Sequence, residues 1–149
     1  NLPRKVREYL LDTGNPHYRY DLLGVLKGSF LGRFFIQPSR SETLEAEAVT
    51  AFARRIGAIA AYAYLGDVTE SPTGDKRAEH FEDAFLDELF PLLKELGFTA
   101  VTYMPPRNTR EQLLRVQALA SQYELMQISG VDINSSRQSF SCPQLLHMP

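Results

Sequence analysis

Apolar residues recur at helical spacing through much of this chain, and in its second half those stretches alternate with short runs that are apolar throughout. Residues 3–11 predict a short helix, with Pro3 in its first turn and Val6 and Leu10 four apart. The stretch Asp12-Thr13-Gly14-Asn15-Pro16 predicts a turn. From Asp21 to about Phe34, Leu22, Val25, Leu26, Phe30 and Phe34 keep helical spacing. Gly24, Gly28 and Gly32 lie four apart on the same helix, each costing about 1 kcal/mol relative to alanine. That stripe predicts close helix–helix packing. Lys27 and Arg33 interrupt the run and argue against a membrane dimer.

The second half is more regular. Val49, Phe52, Ala53 and Ile56 predict one face of a helix ending at Gly57. Residues 58–65 then read as a strand buried on both faces. A turn-rich loop runs from Gly66 to Asp75. Phe81, Phe85, Leu89, Leu92 and Leu96 mark the next helix, which ends at Gly97 and should kink or split at Pro91. Residues 98–104 are a second strand, stopped by Pro105-Pro106. Thr109 and Gln112 form a capping box for a helix whose inner face is Leu113, Val116, Ala120 and Tyr123. Residues 125–133 are a third strand. Strands alternating with single helices predict an α/β fold of parallel β-α units with right-handed crossovers, either an open sheet or a wedge of a barrel.

Composition narrows the class. The 149 residues include 44% hydrophobic and 23% charged positions, enough for a globular core. A net charge of −2 and a pI near 5.9 give no footprint for nucleic acid or an anionic membrane. No run reaches the roughly 20 apolar residues of a membrane span, and the charged opening residues do not read as a signal peptide. One cysteine, Cys142, builds no disulfide framework, so a cytoplasmic protein is expected. The chain opens on Asn1 and stops at Pro149 without a closing element, which suggests a piece of a longer polypeptide. It divides by pattern into a helical segment, residues 1–40, and β/α units over 41–149.

In parallel α/β folds chemistry gathers at the carboxyl ends of strands. Here those ends read Tyr62-Ala63-Tyr64-Leu65-Gly66-Asp67, Tyr103-Met104-Pro105-Pro106-Arg107-Asn108 and Ser129-Gly130-Val131-Asp132-Ile133-Asn134. Asp132 and Asn134 also suit a plain turn. Tyr62, Tyr64 and Tyr103 suit a core with hydroxyls at its rim. Arg107 and Arg137 match phosphate oxygens or lie solvated on the surface. Asp67 and Glu70 can assist a metal or cap the following helix. His17, His80 and His147 show no ligand spacing and receive no role. No P-loop, GxGxxG or GxSxG segment is present.

Over roughly residues 43–134 the chain resembles the polymerase and histidinol phosphatase (PHP) family. The closest stretch runs from Thr109 through Tyr123-Glu124-Leu125 to Ser129-Gly130-Val131-Asp132-Ile133-Asn134. Asp132 matches the family's metal-binding aspartate, whereas Asn134 stands where its histidine belongs. Ala63-Tyr64-Leu65-Gly66 aligns with the family's Ala-His-Pro-Gly, so Tyr64 takes another histidine position. The resemblance implies part of a PHP-like (β/α) barrel and a metal-dependent phosphoesterase acting on a small phosphorylated molecule. Divalent Mn, Zn, Fe or Mg would be held by Asp132, Asn134 and Asp67. Asp132 and Arg107 would be catalytic, with Arg107, Arg137, Tyr64 and Tyr103 around the substrate. Phenol and amide in place of two imidazoles remove good ligands for zinc-like ions. The alternative is a catalytically degenerate PHP-like domain that binds or scaffolds.

Overall fold

The computed structural model describes residues 4–68 and 80–133, with Pro143 and Leu146, apart from the side chain of Lys5. The chain falls into two compact units, one of residues 1–43 and 133–140, the other of residues 44–132 and 141–149.

In the first unit, α1 (Arg4–Leu11) is joined to α2 (Tyr18–Phe34) by the expected turn. The Asp12 carbonyl accepts from the Asn15 N–H, and the Asn15 side chain accepts from the His17 N–H and donates to Asp21. Helix α2 begins three residues earlier than the hydrophobic spacing indicates and buries none of its residues. The glycine stripe is a correction: a methyl group placed on Gly24, Gly28 or Gly32 would meet nothing within 4 Å. Among the described residues no close packing accounts for those glycines.

The second unit is built from α3 (Ala46–Arg55), β1 (Ala61–Ala63), α4 (Leu86–Glu95), β2 (Ala100–Tyr103), α5 (Arg110–Gln122) and β3 (Met126–Ser129). The strands form an open, all-parallel sheet in the order β1-β2-β3. The register runs Ala61–Ala100–Met126, Tyr62–Val101–Gln127 and Ala63–Thr102–Ile128 across the sheet. Strands are shorter than the apolar runs that encode them. Ala63 is exposed and all four residues of β3 are exposed, so neither β1 nor β3 is covered on both faces. Among the described residues no helix is long and apolar enough to cross a membrane.

Each strand is entered from a helix through the same cap. After α3, the Gly57 N–H reaches the Arg54 carbonyl and the Ala58 N–H the Ala53 carbonyl. After α4, Gly97 and Phe98 do the same to Lys94 and Leu93. These are Schellman motifs, which require a left-handed residue after the helix, and Gly57 and Gly97 have φ of 72° and 86°. The third helix lacks the glycine but keeps the motif. Glu124 takes φ 52°, its N–H reaching Ser121 while the Leu125 N–H reaches Ala120.

One core holds this unit together. Leu86, Phe90 and Leu93 from α4, Val101 and Tyr103 from β2, and Leu113, Val116, Leu119 and Ala120 from α5 are buried together with Tyr64 and Leu125. A side chain such as Phe90, fully removed from water, contributes about 1.5–3 kcal/mol. The α5 face agrees with the pattern, and its capping box between Thr109 and Gln112 is complete. The α4 face is offset from the pattern by one residue. Leu86, Phe90 and Leu93 are buried, whereas Phe85 and Leu92 are about half exposed. Pro91 sits on the exposed side of a single continuous helix, so no split occurs. In α3 the buried residues are Thr50 and Ala53, with the Thr50 hydroxyl on the Leu96 carbonyl at 2.6 Å. Val49, Phe52 and Ile56 face outward instead.

Candidate functional site

Parallel pairing brings the carboxyl ends of all three strands to one edge of the sheet. At that edge the loop after β1, the 3-10 turn Asp83–Phe85 before α4 and the loop after β2 converge. Their shared centre is the Asp83 carboxylate. The Tyr64 hydroxyl donates to Oδ1 at 2.5 Å. The Asp67 N–H and the Gln112 side-chain amide donate to Oδ2 at 3.0 and 2.7 Å. Gln112 also donates to the Asp67 carbonyl, so the first turn of α5 is tied to the loop after β1.

Asp67 has both carboxylate oxygens occupied. Oδ1 accepts from the Phe81 N–H at 2.7 Å, and Oδ2 lies 2.8 Å from His80 Nδ1. The His80 hydrogen bond, helped by the Phe81 N–H, holds the Asp67 carboxyl below its ordinary range. A carboxyl lowered in the folded state adds stability above its unfolded value, and that stability is lost as pH falls through the folded one.

Glu82 is buried at 4% exposure and accepts from the Leu65 N–H at 2.8 Å and, at 3.5 Å, from the Tyr62 hydroxyl. Burial first, then the Glu82 charge, pushes the Tyr62 phenol up to about 12. Tyr64 is raised further, by burial and by its hydrogen bond to Asp83. Both phenols therefore stay protonated and act as donors, not as anionic ligands.

The loop after β2 closes the network. The Leu65 carbonyl accepts from Arg107 Nε at 2.9 Å and from the Asn108 side chain at 2.8 Å. Asn108 in turn accepts from the Met104 N–H. The Arg107 guanidinium lies over the Phe81 ring, 5.6 Å from its centre. Its two terminal nitrogens have no hydrogen-bond partner among the described residues. Gly66 makes this closeness possible. It adopts φ 73°, and a Cβ there would stand 2.7 Å from Asn108 Nδ2 and 2.8 Å from the Tyr64 hydroxyl.

The expected site residues divide accordingly. Tyr64, Asp67 and Arg107 come together through Asp83, Phe81 and Leu65. Tyr103 does not join them, because its hydroxyl lies between Gln117 and Gln127 on the α5 side of the sheet. Asp132 is exposed on the segment after β3, at the same sheet edge as the β1 and β2 loops. Asn134 and Arg137 lie outside the described residues, as do Glu70, Cys142 and His147. Four members of the network, His80, Glu82, Asp83 and Gln112, are not among the expected site residues. Gln112 alone had a signal, as the N3 member of the capping box.

The described residues show no assembled site for a divalent metal. Asp67 has its oxygens committed to nitrogen donors, Tyr64 is a buried neutral phenol, and no group of three or more His, Cys, Asp or Glu among them can hold an ion. No protein family, no curated protein and no solved structure matches this chain.

Proposed function

We propose that the second unit is a wedge of a PHP-like (β/α) barrel that works as a binding or scaffold module for a small phosphorylated molecule. The observation that carries this reading is the commitment of Tyr64 and Asp67 to each other's neighbours while the Arg107 fork keeps its terminal donors. A guanidinium fixed by a carbonyl behind and a ring beneath is pre-oriented for bidentate contact with phosphate oxygens. Consecutive parallel strands joined through α4 and α5 are also the local arrangement of a (β/α) barrel. A cytoplasmic setting, expected from cysteine usage, suits such a ligand.

Calorimetric titration with inorganic phosphate and with a simple phosphomonoester tests the reading. Saturable binding that disappears in Arg107→Gln is expected, with no turnover of the ester in the presence of Mn or Mg. Binding unchanged in Arg107→Gln would refute it.

A second reading, a metal-dependent phosphoesterase in which Asp132 is catalytic, is favoured by one observation. Parallel strands direct Asp132, Asp67 and Arg107 to the same edge of the sheet. Metal-stimulated ester hydrolysis that is lost in Asp132→Ala would favour this reading over the first.

A further inference from the structure

The outward face of α3 is apolar where the sequence pattern places core. Phe52 lies on the side of the helix opposite the buried Thr50, and Val49, Phe52 and Ile56 are 45%, 50% and 58% exposed. Val49 and Phe52, with Leu44, Ala48, Ala51 and Arg55, line a shallow groove of about 390 Å³. A stripe of this kind along a ten-residue helix marks a surface that another apolar surface covers.

Charge along that face names the occupant. Glu45 stands at the beginning of α3 and Arg55 at its end. Neither has an ion-pair partner among the described residues. The face is symmetric about Thr50: Leu44 and Ile56, Glu45 and Arg55, and Ala48 and Phe52 are equidistant from it in sequence. Two such helices crossing antiparallel on a two-fold axis set Ala48 of one against Phe52 of the other, small against large. The same operation sets Glu45 of each copy against Arg55 of the other, twice. The Arg55 guanidinium already rests on the Phe52 ring, 5.1 Å from its centre, so its position is partly fixed before a partner arrives. A parallel arrangement would oppose like charges instead. We propose that this face is a self-complementary dimerisation surface, with a second copy of the chain bound antiparallel along α3. The interface is isologous, as closed two-fold assemblies require. One helix face on each side is below the standard interface size, so the dimer is weak and concentration-dependent.

Sedimentation equilibrium of the full chain tests this, with circular dichroism confirming that each variant keeps its helix content. The wild type should pass from monomer to dimer as concentration rises. Phe52→Glu should remove the dimer. Glu45→Arg and Arg55→Glu should each weaken it on the order of tenfold, since each reversal spoils two symmetry-related pairs. The double variant Glu45→Arg/Arg55→Glu should return to about the wild-type affinity. A wild type that stays monomeric throughout overturns the proposal. So does a dimer that survives Phe52→Glu, or one that the double reversal fails to restore.

Discussion

The Tyr64 hydroxyl and the Asp83 carboxylate meet at 2.5 Å, nineteen positions apart in sequence, with the Tyr64 side chain buried beneath them. This contact joins the end of β1 to the start of α4, and Asp67, Gln112 and Gly66 are arranged around it. It makes the edge where ligands gather in α/β folds a clasp between loops.

Removing the phenol hydroxyl leaves Asp83 short of a donor. Tyr64→Phe is expected to cost about 1–3 kcal/mol, because the acceptor stays behind after its partner has gone. Urea unfolding at constant slope reads the change as a lower midpoint. A midpoint equal to wild type would remove the hydrogen bond from any account of stability.

Alkaline pH should loosen the same region. In the unfolded chain a tyrosine ionises near pH ~10, whereas Tyr62 is pushed up to about 12 and Tyr64 further still. Above pH ~10 the unfolded state binds fewer protons than the native one, so stability falls with rising pH. Denaturation series across the alkaline range should show that decline in the wild type. Tyr62→Phe and Tyr64→Phe should each shallow it.

Two glycines of like backbone geometry separate strain from crowding. Gly57 and Gly66 have φ of 72° and 73°, but a Cβ at Gly57 would meet nothing within 4 Å. Gly57→Ala should therefore cost only the left-handed conformation, about 1–2 kcal/mol. Gly66→Ala should cost more, since Asn108, Tyr64 and Gln112 must shift as well. Thermal midpoints of the two variants give the order directly.

Glu124 offers the opposite case. It fills in the α5 cap the left-handed position that glycines fill after α3 and α4, and it is exposed. Glu124→Gly relieves the Cβ penalty and loosens the unfolded chain, for a net gain of about 0.5–1 kcal/mol. A higher thermal midpoint is the expected result.

Much of the second unit was legible in the sequence. Glycines after two helices, Pro105-Pro106 after β2 and the Thr109–Gln112 box mark boundaries by backbone chemistry, which acts locally. Helix faces were less legible because α3 and α4 carry apolar residues around a wide arc. Leu86, Phe90 and Leu93 repeat at the same spacing as Phe85, Leu89 and Leu92, and only the position of the sheet chooses between them. In α3 the choice goes to Thr50, a polar residue, because its hydroxyl meets the Leu96 carbonyl. The site was legible as a place more than as a set of residues. Tyr64, Asp67 and Arg107 stand where parallel strands end, but Asp83 and His80 become their partners through a return of the chain that no local pattern encodes.

Asp67, Tyr64 and their neighbours satisfy one another, and the proposed binding function requires that they hold no divalent ion. Titrating Mn(II) into the isotopically labelled chain while following the backbone amide signals of Asp67, Phe81, Asp83 and Arg107 tests that requirement most directly. Those signals should keep their intensity through stoichiometric metal. Saturable, localised broadening of the four at one equivalent would contradict the proposed function and return the strand ends to metal chemistry.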